Sequence, residues 1–122
     1  MVTNLEHALT QTADVSAYPD LGAETRSRFE TLLRAIITDD DYTPTVTSDG
    51  DGFIVQWMAD RRYLYVEVYS DGEWALFETA DDGSIVINEA GDGLPNLDRV
   101  RERITALTAH VTAVLASRDA PR

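Results

Sequence analysis

Apolar residues recur at helical spacing near both ends of the chain and alternate with polar ones between. Phe29, Leu32, Leu33, Ile36 and Ile37 stand at i, i+3, i+4, i+7 and i+8, one face of an α-helix. Asp20 is placed to cap that helix and Glu24 favours its first turn. Asp39-Asp40-Asp41 opposes the dipole at the other end, so the helix is predicted to stop near Thr38. Toward the C-terminus, Leu97, Val100, Ile104, Leu107, Val111 and Val114 are spaced 3, 4, 3, 4 and 3 apart, a heptad stripe behind an Asn96 cap. That stripe suits either packing on a sheet or a homodimer seam.

The segment between reads as β. Strands are predicted at 44–47, 53–58, 63–69, 74–79 and 84–88, separated by the turns Asp49-Gly50-Asp51-Gly52, 59–62, Asp71-Gly72 and Asp81-Asp82-Gly83. Asp-Gly between β-rich runs marks hairpins. With two-residue turns at 60–61 and 71–72, one sheet face collects Phe53, Val55, Trp57, Leu64, Val66, Val68, Ala75 and Phe77, all apolar. A three-residue loop at 81–83, with Gly83 left-handed, adds Ile85 and Ile87. The other face carries Ile54, Gln56, Met58, Tyr63, Tyr65, Glu67, Tyr69, Trp74, Leu76 and Glu78. A three-residue Asp71-Gly72 loop would instead move Trp74 and Leu76 to the core and leave the tyrosines in place. The expectation is an α+β domain: an antiparallel meander of four to five strands, flanked by an N-terminal helix and a longer C-terminal one.

Length and composition fit one such domain over 1–122. The 122 residues are 43% hydrophobic, enough for a single core without disulfides or metal. Residues 1–19 read as a flexible or docking arm, with a short helix at 4–11 and a turn at 17–20; residues 117–122 read as a frayed tail. The chain has no cysteine, which removes disulfides, thiolate catalysis and Cys-based zinc sites and suits the cytoplasm. No secretion signal or run of about 18 apolar residues is read in it.

Charge narrows the partners. Ten basic residues, all arginine, face twenty-two acidic ones, for a net charge of −12. Host codon usage or salt adaptation is enough to explain the missing lysine. The balance opposes direct nucleic-acid or anionic-lipid binding and suits a basic protein partner.

Chemical motifs are sparse. His7 and His110 stand apart from any nucleophile–acid constellation. The clustered aspartates fall in turns, where their backbone hydrogen bonding explains them. Asp49-Gly50-Asp51-Gly52 fails the calcium-loop pattern, and no lysine-bearing phosphate loop exists. No catalytic residue, metal or cofactor is assigned. The partner-binding candidates are Tyr63, Tyr65, Glu67, Tyr69, Trp74 and Glu78, because tyrosine and tryptophan anchor interfaces.

One resemblance adds to this. Pro44-x-Val46, the Asp51-Gly52 turn, Phe53-Ile54-Val55-Gln56-Trp57, Arg62-x-Leu64-x-Val66-Glu67-Val68 and Asp71-Gly72 resemble a loose type of small bacterial and phage-borne proteins. It spans residues 44–79 and implies an α+β fold; no activity or functional residue carries over. The functional expectation is a non-enzymatic acidic binding module, such as an antitoxin, immunity or phage anti-defence inhibitor, with DNA mimicry as a variant. The alternatives are a small enzyme or ligand carrier with a sheet–helix pocket, which would need Glu67, Glu78, Arg62 and a tyrosine to converge, and a self-associating structural domain.

Overall fold

The computed structural model describes residues 2–16, 21–59 and 61–119. It is an α+β arrangement: α1 (Asn4–Ser16), α2 (Ala23–Ile36), β1 (Thr45–Ser48), β2 (Gly52–Ala59), β3 (Arg62–Tyr69), β4 (Glu73–Thr79), β5 (Ile85–Asp92) and α3 (Leu97–Asp119). The strands form one sheet in the order β1-β2-β3-β4-β5, every pair antiparallel. The expected Asp20 cap, the turn at 17–20, Asp60 of the turn at 59–62 and tail residues 120–122 lie outside the described residues.

All three helices pack on one face of the sheet. Phe29, Leu32, Leu33 and Ile36 of α2 are fully buried, and Phe29 stacks on Phe53 of β2 with ring centroids 5.2 Å apart. Val100, Ile104 and Leu107 of α3 are buried in the same cluster as Val55, Leu64 and Val66. The heptad stripe is thus largely taken up by the chain's own core. The helix begins behind the expected cap, the Arg99 N–H donating to Asn96 Oδ1 at 3.1 Å, and runs on to Asp119 through part of the expected tail.

The stretch expected as an arm holds a helix that docks. Ala8 and Thr12 are buried, and the Asn4 amide donates to the Thr38 and Asp41 carbonyls. The Val46 N–H on edge strand β1 donates to Gln11 Oε1 at 2.9 Å. Thus α1 shields one sheet edge, a standard protection against edge-to-edge pairing.

The register of β2 on β3 is the expected one, with Phe53, Val55 and Trp57 opposite Val68, Val66 and Leu64. The next hairpin is shifted by one residue. Val66 faces Leu76 and Val68 faces Trp74, because Ser70-Asp71-Gly72 forms a three-residue loop. Gly72 takes φ 97° there and its N–H donates to the Tyr69 carbonyl. Ala75 and Phe77 therefore lie on the face away from the helices, and Leu76 is in the core, reversing the two-residue assignment. The loop at 81–83 has the expected form, with Gly83 at φ 83°. A bulge at Glu78/Thr79 then keeps Ile87 inward and leaves Ile85 61% exposed, against the expectation that both would be buried.

Candidate functional site

With the helices on one side, alternation directs Ile54, Gln56 and Met58 of β2, Tyr63, Tyr65, Glu67 and Tyr69 of β3, and Ala75 and Phe77 of β4 to the uncovered face. The aromatic rings form a continuous run. Tyr65 stacks on its cross-strand neighbour Phe77 at 5.4 Å and tilts against Tyr63 at 5.5 Å. The Tyr63 hydroxyl donates to Gln56 Oε1 at 2.7 Å, which fixes the ring. Burial raises the pKa of the Tyr63 and Tyr65 phenols, and nearby negative charge adds to the effect.

Glu67 sits within this surface yet is only 4% exposed. Its cross-strand neighbours are Ile54 and Ala75, which give its carboxyl nothing polar. The β1–β2 turn brings Asp49 to it. Asp49 Oδ1 accepts the Asp51 and Gly52 N–H groups at 3.0 and 3.1 Å. Burial works against the charge on Asp49, but bonds from the Glu67 carboxyl and these amides outweigh it, so its pKa is lowered. Glu67 moves the other way, to about 8: burial dominates, and the paired Asp49 carboxylate adds to it. The two acids hold one proton at neutral pH, on Glu67. Tyr69, half-buried beside Glu67, is raised to about 12, by desolvation first and then by the Glu67 charge.

A pH dependence follows. In the unfolded chain Glu67 ionises near 4.5, whereas in the native state it keeps its proton to about 8. Between those values the unfolded state binds fewer protons, so stability falls as pH rises and the loss is complete above about 8. Glu67→Gln mimics the protonated acid, with an amide to donate to Asp49. It should match wild type near pH 4 and exceed it by about 1–3 kcal/mol at pH 9, the scale of an unsatisfied buried polar group. Urea unfolding at pH 4, 7 and 9 checks this; a difference that stays constant across the three would refute it.

Two of the six candidates lie elsewhere. Trp74 and Glu78 are on the helix side, a consequence of the three-residue loop. Trp74 packs partly buried against the core, its indole over Gly91 and its Nε1–H donating to the Asp92 carbonyl at 3.2 Å. Glu78 is 1% exposed and gripped by Arg103 of α3, whose Nε and a terminal nitrogen donate to its two oxygens at 2.6 and 2.8 Å. Glu67 and Glu78 therefore do not converge, and Arg62 is occupied with Asp81 at 2.9 Å. His110 Nε2 lies 3.3 Å from the same Asp81 oxygen, and His7 is exposed. Among the described residues no group of three or more acids and histidines is arranged to hold a metal ion, and no helix is long and apolar enough to cross a membrane.

Sequence reasoning missed Phe77, Asp49 and the pocket at the hairpin corner. That pocket, of about 320 Å³, is lined by Asp51, Tyr69, Ser70, Asp71 and Glu73. The strands contain a single arginine, Arg62, whose register opposite Ala59 turns it to the helix side. Arg28 of α2 reaches the corner from behind, donating to the Tyr69 and Glu73 carbonyls. Comparison with family models, with curated proteins and with solved structures returned no match.

Proposed function

We propose that the chain is a non-enzymatic, acidic protein-binding module of the cytoplasm, which takes a basic protein on its uncovered sheet face. The observation that carries this is the placement of every helix on one side. The other side is left with a run of tyrosine, phenylalanine and carboxylate and no strand arginine. Rigid rings held by stacking supply area at little entropic cost, and a net charge of −12 steers a cationic partner inward. An inhibitor of the antitoxin, immunity or phage anti-defence kind fits these properties, since neutralising a basic partner needs complementarity rather than chemistry.

Affinity capture from a host lysate at about 50 mM and 500 mM salt, with wild type, Tyr65→Ala and Arg101→Ala, tests the reading. A basic protein should be retained at low salt and released at high salt. Tyr65→Ala should weaken its purified complex about 30-fold, the loss of one hot-spot anchor. Arg101, exposed on α3, lies across the molecule, and its replacement should leave binding within about twofold. Retention that ignores Tyr65→Ala, or retention of acidic proteins, defeats the proposal.

A further inference from the structure

We propose that the free edge of β5 takes an extended basic segment of the partner as a sixth strand, laid beside α3 with its cationic side chains toward Asp98 and Glu102. The sign of the partner's charge rests on the reading above; the surface is a different one from the sheet face.

The two edges of the sheet are unequal. A strand edge presents a row of main-chain donors and acceptors that another extended chain satisfies best. At the β1 edge α1 intervenes, and Gln11 accepts the Val46 N–H. β5 is bonded to β4 on one side, and no described element pairs with the other. Common protections are missing from it: Ile85–Asp92 holds no lysine and no proline. The bulge at Glu78/Thr79 breaks the ladder only at its start, and Ile87 to Asp92 pair regularly with β4. Ile85 and Val86 beside that bulge are 61% and 48% exposed, so apolar side chains flank the open backbone.

A cavity of about 500 Å³ lies between this strand and the first turns of α3. Val86 and Ile87 line it from the strand, and Asp98, Arg99, Glu102 and Arg103 from the helix. Its arginines are already committed, Arg99 to Glu89 at 2.8 Å and Arg103 to Glu78. Asp98 and Glu102 are exposed and make no ion pair among the described residues; Glu102 contributes only its field to Arg103. Four carboxylates thus stand against two guanidiniums around the cavity. Charge complementarity asks for a cation here, and the strand wall for an aliphatic side chain. One strand supplies both, because its alternate side chains share a side. A second copy of this chain fits worse. Antiparallel pairing of β5 with its copy sets both α3 helices on one side of the joined sheet. Asp98 and Glu102 then face their counterparts, and two net charges of −12 meet.

The probe is the capped heptapeptide Thr-Arg-Thr-Val-Thr-Arg-Thr, titrated by NMR into the whole chain at low salt. Saturable shifts should be confined to residues 85–92 and 96–103, with slowed exchange at alternate β5 amides. The same peptide with glutamate for arginine should bind at least about tenfold more weakly. Asp98→Asn with Glu102→Gln, both at exposed positions, should weaken the basic peptide about fivefold. Two further peptides carry N-methyl groups, one on the arginines and valine, the other on the threonines. A paired strand points its N–H groups alternately toward and away from its neighbour. One version should therefore lose more than about tenfold in affinity, and the other less than about threefold. Equal behaviour of the two methylated peptides, equal shifts at the acidic turn 49–52, or a dimer of the free chain with its β5 amides already protected overturns the proposal. The sheet face and the edge fail separately. Partner capture lost in Tyr65→Ala, with no peptide bound at β5, keeps the face and removes the edge site. Peptide binding that meets each expectation, while capture ignores Tyr65→Ala, keeps the edge site and removes the face. No basic partner and no peptide binding removes both.

Discussion

Replacing Arg103 by alanine should destabilise the protein by about 3 kcal/mol, the lower end of the range for breaking a buried ion pair. Glu78 is 1% exposed, whereas Arg103 keeps 29% of its side chain in solvent. The arginine alone is therefore partly hydrated, and the carboxylate alone is not. Arg103→Ala leaves Glu78 as a charge between sheet and helix with neither of its bonds of 2.6 and 2.8 Å. The bidentate grip also raises the pKa of Arg103, through its hydrogen bonds to Glu78 first. Glu78→Leu combined with Arg103→Leu should return stability to within about 1 kcal/mol of wild type, because an apolar pair of similar size avoids desolvating charge. A double-mutant cycle in urea reads both values. A loss under 1 kcal/mol for Arg103→Ala would show that solvent reaches Glu78.

The same residue shows where sequence patterning runs out. Glu78 is charged, and alternation assigns charged strand residues to the polar face. Its actual place depends on a partner 25 residues away on α3, and strand periodicity carries no information about that partner. The loop at 70–72 is ambiguous for a related reason. Trp74 and Leu76 are apolar, and so are Ala75 and Phe77, so either parity gives an apolar core strip. The β2–β3 register was legible because only one parity there is uniformly apolar, Phe53, Val55 and Trp57 against Leu64, Val66 and Val68. A cue for the longer loop lay in Ser70-Asp71-Gly72, with glycine third, where a three-residue hairpin needs φ > 0.

The candidate site divides in the same way. Tyr63, Tyr65, Glu67 and Tyr69 share a face under either loop length, because they alternate along one strand. Phe77 joins them only through the shifted register. Asp49 joins them only through the third dimension: a turn between β1 and β2 reaches the side chain of β3, and its spacing from Glu67 in the sequence gives no hint of contact. The uncovered face itself was not legible. Two helical patterns flanking a sheet fit one helix per face as well as both on one, and the choice depends on the short segments linking helix to strand.

Gly52 links this site to stability. It pairs with Tyr69, and a Cβ built on it would stand 2.4 Å from the Val68 carbonyl oxygen and 3.0 Å from Tyr69 Cα. Both are backbone atoms of the central strand, held by ladder bonds on each side, and cannot rotate away as a side chain would. Gly52→Ala must therefore push the end of β2 off β3. The cost should be about 3 kcal/mol or more, at the upper end for overpacking. The displacement also moves the turn that delivers Asp49, whose Oδ1 is bonded to the Gly52 N–H at 3.1 Å. Losing Asp49 removes one contribution to the raised pKa of Glu67, which is then held up by burial and the Asp51 charge. Two measurements on the variant read one cause: a lowered urea midpoint, and a Glu67 carboxyl titrating below its wild-type midpoint of about 8. A variant of normal stability would mean that β2 and β3 are further apart at Gly52. A destabilised variant with the Glu67 midpoint unchanged would mean that Asp49 does not share its proton.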